Sequence, residues 1–171
     1  EKLFELFEKT GEKKIISKGD FLIKEGEIES SVYLIKKGAV RVFHLTEFEE
    51  QTVRFGYERS VINSLSSFIK GTPSEFYIEA IRKSTIEIIT KTDFTALVYS
   101  NDQTIKEYIG FIETVIAHQI EREIDLLTVS PLERLERVLA RSPNLFQEIP
   151  LKYIASYLRM TPETLSRVRN P

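Results

Sequence analysis

The chain has 171 residues, 42% hydrophobic and 29% charged, with a formal net charge of −2. Those proportions suit a soluble globular protein of one or two domains with room for a sizeable core. There is no cysteine, which excludes disulfides, thiolate nucleophiles, iron–sulfur clusters and cysteine-ligated zinc. No apolar run approaches a membrane span and no signal-like start is present, so a cytoplasmic protein without a membrane partner is expected. The first residue is Glu1 rather than Met, so the chain is expected to be a fragment or trimmed. Charge is unevenly placed. From Val129 to Pro171 seven Arg/Lys face four Asp/Glu, whereas the part before it carries 17 against 22.

Residues Lys2 to Thr10 read as a small amphipathic helix with Leu3, Phe4, Leu6 and Phe7 inward and Gly11 as its stop. The period then changes to two. Short strands are expected at Lys14–Ser17, Phe21–Lys24, Val32–Lys36, Ala39–Leu45 and Thr52–Phe55, with more at Phe76–Ile81 and Thr85–Thr90. Gly19, Gly26 and Gly38 punctuate them where the chain needs positive φ. Many short strands at close spacing argue a small antiparallel roll or barrel. Thr92 is expected to cap a short helix through Asp93–Val98, and Asn101 to start the next one.

From about Asn101 to Leu127 one long helix is expected. Ile105, Ile109, Ile112, Ile116, Ile120, Ile124 and Leu127 recur at gaps of three and four and share one face. Lys106, Glu107, Glu113, Glu121, Arg122 and Asp125 would lie opposite, in water. The rod would be ~40 Å long, with more apolar surface than the preceding chain easily covers. It reads as a seam between two copies; the alternative is an intramolecular core helix.

After a break at Thr128-Val129, Ser130 is a good N-cap, with Pro131 in the first turn and Glu133 at the capping-box position. That helix runs to Arg141. Next, Leu151, Ile154, Ala155 and Leu158 form a short inward face, Arg159-Met160 a turn, and Thr161-Pro162 the start of a second helix carrying Leu165 and Val168 inward. This is a helix-turn-helix pattern, whose second helix reads DNA from the major groove. The candidate DNA-contacting residues are Lys152, Thr161, Glu163, Thr164, Ser166, Arg167 and Arg169. Arg167 can give two hydrogen bonds to a guanine and Glu163 can accept from a cytosine amine, with Arg169 and Lys152 nearer phosphates.

The runs Ile16-Ser17-Lys18-Gly19-Asp20, Ile23-Lys24-Glu25-Gly26 and Val32 through Val42, followed by the long helix and the helix-turn-helix, resemble the Crp/Fnr superfamily. The resemblance covers essentially the whole chain. It implies an α+β architecture: a cyclic-nucleotide-binding-like jelly roll over residues 1–100, a dimerisation helix and hinge over 101–128, and a winged-helix-type helix-turn-helix over 129–171. The β-hairpin wing that usually follows the reader helix in that family is expected to be absent from the chain as given. The implied partners are double-stranded DNA, a second copy of the chain, RNA polymerase and an unidentified small-molecule effector.

The family's phosphate cassette has a Gly-Glu pair, a short helix, then an arginine. Here no Gly-Glu pair occurs in Arg59–Phe76, and Ser74 falls at the arginine's position. Cyclic AMP is therefore not expected to bind, and no cofactor is identified. Ser64, Ser66, Ser67 and Ser74 remain as hydroxyls for a different small ligand, or the pocket is a filled-in vestige. His118 falls where the family's long helix offers side chains to the bound base, with haem ligation or simple packing as alternatives. No acid/base pair, P-loop or metal-ligand spacing supports an enzyme. The reading is thus a sequence-specific DNA-binding regulator. The alternative is a small-molecule sensor that signals to a protein partner.

Overall fold

A computed structural model describes residues 2–170; Glu1 and Pro171, which end the first and third expected segments, lie outside it. The amphipathic start forms α1 (Lys2–Thr10), and eight strands follow, β1 (Glu12–Ile16), β2 (Phe21–Ile23), β3 (Ser31–Lys37), β4 (Ala39–Leu45), β5 (Glu50–Tyr57), β6 (Val61–Ile62), β7 (Tyr77–Ala80) and β8 (Ser84–Thr90). A short helix α2 (Leu65–Lys70) interrupts them, and α3 (Lys91–Val98) ends the roll. The strands make two antiparallel four-stranded sheets, in the orders β1-β8-β3-β6 and β2-β7-β4-β5. Alternate residues of both sheets face each other, so Ile16, Ile35, Val40, Ile62, Ile78 and Ile86 pack as one core.

The corner glycines behave as expected. Gly19, Gly26 and Gly38 all have positive φ, and at Gly38 (φ +103°) a Cβ would overlap both Cα and Oγ of Ser84 on the neighbouring strand. Gly38→Ala is expected to lower unfolding free energy by about 1–3 kcal/mol through backbone strain alone, readable as a shift of the urea midpoint. An unchanged midpoint would mean the corner relaxes freely.

The helical half consists of α4 (Asp102–Leu127), α5 (Pro131–Arg141), α6 (Leu145–Glu148), α7 (Leu151–Leu158) and α8 (Pro162–Arg169). Asn101 accepts hydrogen bonds from the Gln103 and Thr104 N–H groups and so starts α4; Ser130 caps α5, with Pro131 in the first turn. One expected cap moves. Thr90, not Thr92, is the N-cap of α3: its hydroxyl accepts from Asp93 N–H at 3.1 Å and donates to the Asp93 carboxylate at 2.7 Å. A Thr-x-x-Asp spacing satisfies two groups at once, and Thr92 has no such partner position.

A second correction concerns the polar face of α4. Arg122 and Asp125 do not lie in water; both are buried, as is Thr104. Alpha-helical spacing sets these residues, with Tyr108, Phe111 and Val115, on a face roughly a third of a turn or more from the isoleucines. That face packs against the chain's own α1, α3 and α5. Ile109, Ile116, Ile120, Ile124 and Leu127 stay exposed, Ile116 at 54%, while Ile105 and Ile112 are half-buried.

The roll and the C-terminal helices pack on each other. Ala39, Ile81, Phe55 and Tyr57 of the roll join Leu135, Val138, Ile154, Leu158 and Leu165 in one hydrophobic cluster. Strand β5 is an edge, and α7 covers it: Ser156 Oγ accepts from Thr52 N–H and donates to the Glu50 carbonyl, both at 3.0 Å. Arg41 is sandwiched between the rings of Phe43 (4.1 Å) and Tyr153 (4.4 Å) and ion-paired to Glu79 and Glu50.

Candidate nucleic-acid interface and effector cleft

The α7–α8 pair, the expected helix-turn-helix, is built from its small and apolar positions outward. Ile154, Ala155, Leu158 and Leu165 are fully buried, so α7 and α8 cross closely over Ala155. Arg159 ends α7 in the left-handed conformation (φ 57°, ψ 48°), and Met160 N–H donates back to the Ala155 carbonyl, a tight C-terminal closure. Thr161 then caps α8 by accepting from Thr164 N–H at 3.2 Å, and its hydroxyl donates to Thr164 Oγ1 at 3.1 Å.

This geometry sorts the expected DNA contacts. Glu163, Ser166 and Arg167 are exposed on the outer face of α8, where helical spacing groups them with Asn170, a residue the sequence reading omitted. Lys152 is exposed at the start of α7, its ammonium 4.6 Å from the Tyr153 ring. Arg169 points to the flank and stacks on Phe146 at 4.3 Å. Thr161 and the half-buried Thr164 use their hydroxyls in the cap, which fixes the start of α8.

Between the C-terminal helix pair and the long helix sits a charged hinge. Asp125 is 0% exposed; Arg137 donates to it at 3.0 Å and Arg141 makes a two-pronged contact with it, while Arg137 also reaches Glu121 at 2.8 Å. Arg134 donates to the carbonyls of Thr128 and Leu158, each at 2.6 Å, tying the end of α4 to the end of α7. Arg122 lies over the Tyr157 ring at 3.7 Å and donates to the Tyr157 carbonyl. None of these roles is legible in the sequence, because most of the partners lie twelve or more residues away.

In the cassette region the structure bears on the two alternatives left open, a hydroxyl-lined cavity and a filled-in vestige. Ser64, Ser67 and Ser74 are buried and spend their hydroxyls internally, and Ser66 is exposed on α2. Ser64 Oγ and Ser74 Oγ share a hydrogen bond at 2.8 Å, Ser74 Oγ donates to the Phe76 carbonyl, and Ser67 Oγ donates to the Thr72 carbonyl. Glu29 fills the space beside them. Its carboxylate accepts from Ser64 N–H (3.2 Å), Ser31 N–H (3.1 Å) and Tyr33 OH (3.0 Å), and its N–H donates to Ser67 Oγ. Burial pushes the Glu29 carboxyl above its ordinary pKa, partly offset by those donors. A buried carboxylate bonded to the N–H that opens α2 repels the very group a cyclic phosphate would bring. With the arginine also missing, affinity falls by about 2–5 kcal/mol relative to an intact cassette. Titrating cyclic AMP into the protein is therefore expected to give no binding heat; a tight saturable signal would contradict this geometry.

His118 is exposed and lines a different cavity, a cleft of about 390 Å³ between the roll, α4 and the C-terminal helices. Arg54, Arg59, Arg122 and Arg141 line it along with Phe55 and Tyr157. No helix among the described residues is long and apolar enough to cross a membrane, and no His/Asp/Glu group among them could hold a metal ion.

A model of the cyclic nucleotide-binding domain family matches residues 13–101. FixK2 from Bradyrhizobium japonicum has the same fold, with a TM-score of 0.79 at 19% identity over 94% of this chain and 83% of its own. A CooA variant from Carboxydothermus hydrogenoformans gives 0.76 at 17% identity over 97% and 77%. The catabolite activator protein of Thermus thermophilus gives 0.59 at 17% identity over 98% and 80%. A search of curated proteins found no match. From the roll to α8 the chain has the fold of the Crp/Fnr regulators, and it belongs to the cyclic nucleotide-binding domain family.

Proposed function

We propose that the chain is a homodimeric, sequence-specific DNA-binding transcription regulator that works in the cytoplasm. The observation that carries this is the pairing of two exposed surfaces on one chain. One is the polar outer face of α8, with Glu163, Ser166 and Arg167; the other is the isoleucine stripe of α4. Isoleucines that do not pack on their own chain are suited to a two-fold seam, in which each stripe covers its copy. Two-fold symmetry then sets two reader helices about one helical turn of DNA apart, ~34 Å, over a roughly palindromic site. RNA polymerase is the natural protein partner for a regulator seated at a promoter.

Site selection from a random duplex pool tests the reading. Enrichment of a palindrome with half-sites one turn apart is expected; no enrichment would sink it. At the selected site, Arg167→Ala is expected to cost about 1–3 kcal/mol and to relax preference at one base pair per half-site. An equal loss on every sequence would make Arg167 a phosphate contact instead.

A further inference from the structure

The cleft between the roll and the hinge has an unusual lining. Four arginines, Arg54, Arg59, Arg122 and Arg141, border it, and no aspartate or glutamate does, in a chain whose carboxylates outnumber its basic groups. Of the four, among the described residues, Arg141 alone has carboxylate partners, Asp125 and Glu121, whereas Arg54, Arg59 and Arg122 make no ion pair. Arg122 is 7% exposed, and its Nη1 has no hydrogen-bond partner at all. Arg54 is half-buried on β5 with a single long contact, 3.4 Å, to the Val61 carbonyl. Burial pulls both guanidiniums below their ordinary pKa. Buried cations are ordinarily paired, because an unmatched guanidinium in a low-dielectric site is costly. Arg54, Arg59 and Arg122 all line this one cavity.

We propose that this cleft binds a small organic anion, a phosphate ester or a polycarboxylate, and that this anion is the protein's effector. Its oxyanion group would be held by Arg54, Arg59 and Arg122, and its body would rest on Phe55 and Tyr57. A volume of about 390 Å³ suits a metabolite-sized molecule. Of the cassette stretch only its first three residues, Arg59, Ser60 and Val61, line the cleft; Ser64, Ser66, Ser67 and Ser74 do not. Tyr157 gives it a route to the reader helix. That residue packs at a tilt against Phe55 of the roll, ring centroids 5.2 Å apart, lies under Arg122, and accepts from Arg122 through its carbonyl, one residue before the end of α7. An anion that draws Arg122 toward itself competes with that carbonyl and alters how α7 is held. This regulatory half rests on the DNA-reading function proposed above; the binding half does not.

The test titrates pyrophosphate, adenosine 5′-monophosphate and citrate into the purified protein by calorimetry, with chloride as control. At least one is expected to bind saturably with a Kd below 1 mM, an order-of-magnitude threshold for a metabolite site. The affinity should weaken at least about tenfold in Arg54→Gln and in Arg59→Asn. Asparagine suits Arg59 because that residue has positive φ, and both variants should melt like the parent. No saturable binding of any of the three, or equal binding by both variants, would overturn the site. DNA affinity measured with and without the bound anion is read separately. A ligand that binds but leaves DNA affinity unchanged overturns the effector role alone, whereas failure to bind any DNA would sink the function proposed above and leave the cleft standing.

Discussion

Replacing both Arg137 and Arg141 with alanine is expected to cost the fold about 3–5 kcal/mol, and replacing Asp125 with alanine to cost less. The order follows from burial. Asp125 is fully enclosed, so losing both arginines strands a carboxylate with no charge partner and no water. The arginine side chains are themselves 30% and 23% exposed. Without Asp125 they can turn toward solvent or keep Glu121, which leaves an ordinary lost hydrogen-bond penalty of roughly 1–3 kcal/mol. Urea unfolding of the three proteins reads the difference as a shift in midpoint. The reverse order would mean that the arginines, not the carboxylate, bear the desolvation. Because this clamp joins α4 to α5, damage to it should also loosen the reader helices before the roll melts, visible as early loss of amide protection in α7 and α8.

The second large effect belongs to the seam. Ile116→Glu should leave the chain folded, since Ile116 is 54% exposed within its own chain. In a two-fold seam the same change removes two isoleucines, worth about 3–6 kcal/mol at 1.5–3 each. That converts to a dimer weakened roughly 100- to 10,000-fold, before counting repulsion between two carboxylates on the axis. DNA affinity should fall with it, because a single reader helix loses the paired half-site. Unchanged circular dichroism with a halved particle mass is the expected signature. A folded variant that still dimerises and binds the palindrome would move the seam elsewhere.

Much of this architecture is legible in the chain because local chemistry carries it. Gly38 needs its φ, Asn101 and Ser130 are caps with partners two or three residues on, and Thr161-Pro162 announces α8. The isoleucine spacing is similarly local. What sequence periodicity cannot register is a polar residue buried by something distant. Arg122 and Asp125 fall on what looks like a solvated face until α5 and α7 fold back with Arg137, Arg141 and Tyr157. Ser64, Ser67 and Ser74 look like cavity hydroxyls until Glu29, 35 residues upstream of Ser64, arrives to occupy the space. Arg54 reads as one polar position on an alternating strand, and only the packing of β5 against α4 and α7 sets it in a cleft with three other arginines. Thr90 was within reach, since its spacing from Asp93 is a capping signal in itself.

Sedimentation equilibrium of the purified chain bears most directly on the paired-reader account. The account predicts a single species of twice the 19.8 kDa chain mass, reduced to the chain mass by Ile116→Glu. A monomer at micromolar concentration, with its isoleucine stripe open to water, would contradict it.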